Sequence, residues 1–469
     1  MVHVYSMGGI NIALDGNSGS VHVLDDVAYE LLAQFKKPFA YEQAVKKFQE
    51  RYPAKSIREA WEEISLLVEK GLLFSPEIDQ TAVQNNMTVN KGFKALCLHV
   101  AHDCNLMCEY CFASKGSYKA AKKLMPLEIA IKAVDFLVNN SGKRRNVEID
   151  FFGGEPMLNF TVVKKTVEYG RKVAKLADKQ INFTVTTNGT LLDNDEIKYI
   201  NENMDNVVIS LDGRKEVHDA IRYDAAGRST YDRIIGNALH LVRARENKSY
   251  FIRGTFTSRN TDFSKDVLHL ADLGFDEISM EPVVGRGEDF HIRREHIPEI
   301  LNEYEQLAYA YIRKIKEGGK PFRFYHFNVN IYKGPCLYKR IAACGAGTEY
   351  LAVTPEGDLY PCHQFVGKHE FIMGNLDTGL KNNALCERFR KTNILTKEEC
   401  RDCWAKLYCS GGCHANSYYA SGDIMKPEEL FCAMQKKRLE CAIMIEAYVD
   451  LAHQYLREGT EKNRLTSGV

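Results

Sequence analysis

The chain has 469 residues, with 62 basic and 62 acidic side chains and 14 cysteines. That length exceeds one ordinary core and predicts roughly two to four domains. Balanced charge excludes a general electrostatic pull toward nucleic acid or a membrane surface. No apolar run reaches the roughly 18 residues that a spanning helix needs. The opening M-V-H-V-Y-S-M-G-G-I has no basic segment followed by an apolar one, so no secretory signal is visible. The expectation is a cytoplasmic protein with no nucleic-acid or membrane partner. In a reducing compartment, cysteines clustered near residue 104 and between Cys336 and Cys432 predict metal or cluster ligation rather than disulfides.

Residues 1–80 read as a separate unit. Short alternating runs, V-H-V-Y, I-N-I-A-L and V-H-V-L, are broken by turn signals between Asp15 and Gly19. Helices are predicted over Asp25–Phe35, Tyr41–Tyr52 and Ser56–Lys70, with Gly71 as C-cap, and a strand-like G-L-L-F-S closes the unit. A small sheet plus three helices describes a winged helix-turn-helix. With 8 Lys+Arg against 12 Asp+Glu, it lacks the basic face of a DNA reader. The unit resembles the peptide-recognition element of enzymes that modify ribosomally made peptides, which captures a leader as an added strand. A structural cap is the plainer alternative. Residues 81–92 read as a polar linker.

From residue 93 to 320 the pattern alternates strands and helices. Candidate strands are A-L-C-L-H-V, V-E-I-D-F-F, I-N-F-T-V-T-T, V-V-I-S-L-D, Y-F-I-R-G-T-F-T and E-I-S-M-E-P-V. Helices between and after them include Pro126–Asn139, Asp193–Asn203 and Ile297–Glu317. Six β-α units with apolar strands predict an α/β fold with a parallel sheet, an incomplete (β/α)6 barrel. Ligands of such folds sit at the C-terminal ends of the strands. The first strand leads into C-N-L-M-C-E-Y-C, placing Cys104, Cys108 and Cys111 there. A zinc site usually pairs two C-x2-C units or adds histidines, so C-x3-C-x2-C fits zinc poorly.

This segment resembles the cluster loop of the radical S-adenosylmethionine (SAM) enzymes. The resemblance implies a [4Fe–4S] cluster on the catalytic cysteines Cys104, Cys108 and Cys111, with one iron left for SAM and Tyr110 against its adenine. It also implies that F-F-G-G-E-P, residues 151–156, binds the methionine amino group through Gly153, Gly154 and Glu155. Only glycine lets a ligand approach that backbone closely. Strand-ending T-T-N-G and S-L-D-G place Asn188, Ser210 and Asp212 near the ribose, although Ser and Asp are also ordinary helix caps. Arg222 and Arg233 are left outside the site, either being able to pair with a carboxylate or to lie on the surface.

The C-terminal third, residues 321–440, carries Cys344, Cys362, Cys400, Cys403, Cys409, Cys413 and Cys432. Their spacing resembles the seven-cysteine SPASM pattern. By that resemblance, Cys400, Cys403, Cys409 and Cys432 hold an outer auxiliary cluster, and Cys344, Cys362 and Cys413 hold an inner one. Cys336 is the candidate fourth inner ligand; otherwise an iron stays open for a substrate thiol. Cys97 and Cys441 read as small buried hydrophobes, and nothing assigns Cys386. Residues 441–469 read as a helix and tail.

The whole resembles maturases of six-cysteine (SCIFF) peptides. That implies three [4Fe–4S] clusters and SAM, a cysteine-rich precursor peptide held by its leader, and a low-potential electron donor such as ferredoxin or flavodoxin. The implied reaction joins a peptide cysteine sulfur to an α-carbon. The alternative is a sulfatase-maturing type of enzyme, forming formylglycine from Cys or Ser. Such enzymes place an Asp after the second SPASM cysteine, where this chain has His363.

Overall fold

The computed structural model describes residues 1–79, 92–285, 289–318, 322–331 and 340–466. Cys336 and most of the 81–92 linker lie outside the described residues. At the N-terminus, Val2–Met7 (β1), Ile10–Asp15 (β2) and Val21–Leu24 (β3) form an antiparallel sheet in the order β1-β2-β3. Helices Asp26–Gln34 (α1), Tyr41–Phe48 (α2) and Ala54–Glu69 (α3) follow. Asp25 caps α1 by accepting from the Ala28 N–H at 2.7 Å, which satisfies one of the orphan donors of the first turn.

The alternation of the short strands gives the sheet two apolar faces. Val2, Val4 and Ala13 pack against the three helices. Tyr5, Met7, Ile10, Ile12 and Leu14 point the other way and join the main core of the molecule. At the end of α3, Gly71 adopts φ 67°, its N–H bonding the Val68 carbonyl while that of Leu72 bonds Leu67. This is a Schellman ending. The expected strand at 71–75 does not form. Its backbone is held instead by side chains: His22 bonds the Leu72 carbonyl, and the Ser75 N–H donates to Asp15 at 3.1 Å.

The six expected strands of the next unit are all present and all parallel. They are Ala95–His102 (β4), Asn146–Gly153 (β6), Gln180–Thr187 (β7), Asn206–Ser210 (β8), Ser249–Phe256 (β9) and Glu277–Pro282 (β10). A two-residue strand, Lys123–Leu124 (β5), pairs antiparallel with β4. Every residue of β4 is buried, as expected for a central strand covered on both faces. The parallel array extends past six. Arg323–Phe324 (β11) adds beside β10, and Tyr350–Val353 (β12) adds beside β4. From β12 the sheet continues antiparallel through Asp358–Tyr360 (β13), Gly374–Asn375 (β14) and Gly379–Leu380 (β15).

Two short helices, Glu398–Arg401 and Lys406–Cys409, follow in the cysteine-rich segment. The last helix, Glu429–Thr466, begins well before residue 441 and packs along Ile297–Lys316. No helix among the described residues is long and apolar enough to cross a membrane.

The N-terminal unit docks on the cysteine-rich segment. His3 stacks on Trp404 at 3.9 Å, Tyr408 donates to the Gly19 carbonyl at 2.7 Å, and Lys406 donates to Asn17 at 2.7 Å. Ile12 is fully buried in the shared core. Ile12→Ala should therefore cost about 2–5 kcal/mol, read as a lowered denaturant midpoint of the full chain.

Candidate active site

The end of β4 runs directly into the loop carrying Cys104, Cys108 and Cys111. The turn after β6 locks that loop in place by backbone contact. The Gly154 N–H donates to the Ala101 carbonyl at 2.8 Å, and the Glu155 N–H donates to that of Asp103 at 2.8 Å. A Cβ on Gly153 would stand 2.3 Å from the Ala101 oxygen, and one on Gly154 would stand 2.1 Å from the Asp103 oxygen. The two glycines are needed for this packing, before any ligand is considered.

The three cysteines open onto a cavity of about 200 Å³ at the C-terminal ends of the strands. Its walls include Tyr110, Gly153 and Gly154, Asn188 after β7, Ser210 on β8 and Arg222. Apart from Arg222, these are the sequence-derived SAM residues, with two exceptions. Glu155 is fully buried and absent from the wall. Its carboxylate accepts from the Met157 and Asn188 N–H groups and the Thr187 hydroxyl, at 3.0, 2.7 and 2.8 Å. It ties the end of β6 to the end of β7, and burial raises its pKa to about 7.

Asp212 is the second exception. It is also fully buried, and its oxygens already accept from the Tyr110 hydroxyl, the Arg222 guanidinium and the Thr255 N–H. A ribose would find no open acceptor there. Burial works to raise its pKa, but Arg222, with His218 and Tyr110, holds it below the ordinary range. The sequence reading expected ribose contact from this carboxylate; in the structure it is bonded to Tyr110 and Arg222.

Arg222, left out on sequence grounds, belongs to the site. It lies 5.2 Å from the centre of the Tyr110 ring and 3.9 Å from the Cys108 sulfur. Arg233 is exposed on the helix Tyr231–Arg243 and does not contribute. Sequence reading also missed Arg253, Thr255, Glu281 and Gln364, which line the same cavity. The signal was their place at the ends of β9 and β10 and beside Cys362. Glu281 pairs with Arg438 of the last helix at 3.2 Å. His363 faces the cavity with its ring 4.9 Å from Phe152, and burial, with Arg253 adding, lowers its pKa to about 3.

Asn188 further braces the cysteine loop, donating to Asn105 at 2.8 Å. Burial raises the Cys104 thiol to about 12 and Cys108 to about 11. Both are therefore protonated without a metal, so iron binding has to displace protons.

The later cysteines divide into two groups. Cys400, Cys403, Cys409 and Cys432 line one cavity of about 290 Å³. Burial raises the Cys362 thiol, with Cys413 and Cys344 adding to the shift. Among the described residues, no three His, Cys, Asp or Glu side chains are placed to hold a single metal ion. A zinc ion needs every sulfur at about 2.3 Å. Thiols spaced around an open volume suit a multi-iron core. Cys97 and Cys441 are buried as expected, and Cys386 is buried as well.

Asp212→Ala would leave Arg222 as a buried charge without its partner. It should cost about 3–5 kcal/mol, measured by urea unfolding of the iron-free chain.

Comparison with known proteins agrees with this chemistry. Residues 91–235 match the 4Fe-4S single cluster domain, and residues 344–404 match the SPASM iron-sulfur cluster-binding domain. An uncharacterized protein of Methanocaldococcus jannaschii is 31% identical over 311 residues, covering 66% of this chain and 96% of that protein. The cysteine-type anaerobic sulfatase-maturating enzyme of Clostridium novyi is 26% identical over 383 residues, covering 76% and 97%. Among solved structures, Streptococcus suis SuiB bound to its precursor peptide SuiA aligns with TM-score 0.51 and 15% identity, covering 92% of this chain and 98% of SuiB; at that identity the likeness concerns the fold. The three-cysteine loop on a large parallel sheet and the matched cluster domains lead to one assignment: the chain belongs to the radical SAM/SPASM family of iron–sulfur enzymes.

Proposed function

We propose that this enzyme forms intramolecular Cys sulfur-to-α-carbon thioether (sactionine) crosslinks in a ribosomally synthesised, cysteine-rich precursor peptide, as SCIFF maturases do. The observation that carries the reading is the N-terminal unit. It is docked on the cysteine-rich segment, and β3 pairs only with β2 among the described residues. Val23 on β3 is 46% exposed and Leu66 on α3 is 48% exposed. An edge strand with an exposed apolar side chain suits capture of an extended leader. In this reading the unit is a winged-helix-like recognition domain. The SuiB alignment, which spans 92% of this chain with a precursor peptide bound to SuiB, supports it.

Three [4Fe–4S] clusters are part of the proposal, one on Cys104, Cys108 and Cys111 in a partial (β/α)6 barrel. A second sits on Cys344, Cys362 and Cys413, with Cys336 as candidate fourth ligand, and a third on Cys400, Cys403, Cys409 and Cys432. With the first cluster and SAM bound, the chemistry supplied is reductive cleavage of SAM and hydrogen abstraction from an unactivated carbon. The chain's own residues position the reactants. Tyr110, anchored through its hydroxyl, offers its ring to the adenine. Gly153 and Gly154 present backbone to the methionine end, and Asn188 and Ser210 reach the sugar. Arg222, held by Asp212, keeps a positive charge beside the cysteine loop. A low-potential donor such as ferredoxin or flavodoxin supplies electrons, in a cytoplasmic setting.

The second reading is formylglycine formation, favoured by the Clostridium novyi relative. Against it stand His363 in place of the Asp and the N-terminal unit. That relative is covered over 97% of its own length while matching 76% of this chain.

Mass spectrometry of a cysteine-rich peptide after anaerobic incubation with SAM and reductant separates the two readings. Loss of a hydrogen pair together with one free thiol is expected, and an aldehyde product would favour the second reading. Purified protein should carry about 12 iron atoms per chain. Replacing Cys104, Cys108 and Cys111 with Ala should abolish SAM cleavage while auxiliary iron remains. Val23→Glu should weaken leader binding roughly tenfold in an anisotropy titration; unchanged affinity would remove β3 from the recognition role.

A further inference from the structure

Lys397 is 1% exposed, among the largest fully buried side chains of the molecule. Its Nζ donates to the Gly411 carbonyl at 2.8 Å, on the segment between Cys409 and Cys413. Its backbone is fixed too: its N–H donates to the Asn393 carbonyl at 3.0 Å, and that of Cys400 donates back to the Lys397 carbonyl at 3.1 Å. A buried ammonium ordinarily needs a carboxylate, since stripping its water costs several kcal/mol. Here the groups near it are cysteines instead: Cys400, Cys409 and Cys432 of the outer group and Cys413 of the inner one. Burial lowers its pKa and the cysteines oppose that shift. Lys406 and Lys436 also line the outer cavity, but Lys406 is held by Asn17 and the Arg401 carbonyl. Lys397 lies three residues before Cys400, and its Nζ rests on the carbonyl midway between Cys409 of the outer group and Cys413 of the inner one.

The site fits an anion that only loading provides. Four thiolates around a [4Fe–4S] core leave a net negative centre, more negative still when reduced. A cation held close in a medium of low dielectric constant stabilises the reduced form most. We propose that Lys397 is a fixed positive charge that raises the reduction potentials of both auxiliary centres. This rests on the reading that both cysteine groups hold clusters.

The test is an anaerobic, EPR-monitored redox titration of the iron-loaded full chain, with iron content measured in parallel. Lys397→Gln keeps a donor for the Gly411 carbonyl and removes the charge; Lys397→Arg keeps the charge. The Gln variant should show auxiliary midpoint potentials shifted negative, with the Arg variant near wild type and the three-cysteine centre unmoved. Unchanged auxiliary potentials in a fully loaded Gln variant overturn the proposal. If the Gln variant loses auxiliary iron, recovery by Arg upholds the charge role, and loss in both variants counts against it. Wild-type iron near four atoms per chain would overturn the three-centre reading, and this proposal with it.

Discussion

The backbone contact between the cysteine loop and the turn after β6 is the constraint on which the rest depends. Two amide bonds and two glycines without room for a Cβ set the three thiols against the end of β6. Glu155 extends the contact to β7 by holding the Asn188 N–H, and the Asn188 side chain returns to the loop at Asn105. The circuit runs from loop to turn to the next strand and back. A cofactor that must present one iron to a small molecule needs its thiolates fixed this way, because loop freedom would otherwise be lost at the moment of loading.

The same sheet brings the later cysteines to the first site. β12 pairs in parallel with β4, Tyr350 opposite Ala95, so the cysteine-rich segment is a continuation of the central sheet. The hairpin from β12 to β13 then delivers Cys362 and His363 beside the cavity. From the opposite side, the last helix sends Arg438 to Glu281 at the end of β10. Cavity walls thus come from the N-terminal ligand loop, the strand ends and the C-terminal third. That arrangement explains why function is spread over so much of the chain.

Much of this was legible in the sequence because the signals are local. The six parallel strands carry apolar β-branched runs, and Gly71 ends α3 with the positive φ a Schellman turn needs. Cysteine spacing marked, without any fold, the groups that share one cavity and another. What sequence did not give depends on distance in space. Glu155 and Asp212 occupy motif positions, yet Glu155 is engaged by Thr187 and Asn188 and Asp212 by Tyr110 and Thr255, all remote in the chain. Arg222 looked like any helix-end arginine until Asp212 and Tyr110 surrounded it. The strand expected at 71–75 failed because Asp15 and His22, remote in sequence, hold that backbone from the side. β11 and β12 are too short to announce themselves by alternation.

In the N-terminal unit, docking leaves one edge of the small sheet open for the recognition proposed above. One face, from Tyr5 to Leu14, is spent on the main core, and the other is spent on α1–α3. The turn 15–20 is spent on Lys406 and Tyr408. On the β3 side, Val23 keeps nearly half its surface in water. Because the docking segment also carries Cys403 and Cys409, this sheet is braced on the segment that carries those cysteines. A strand added at β3 would extend a sheet whose far side rests on the cysteine-rich segment itself.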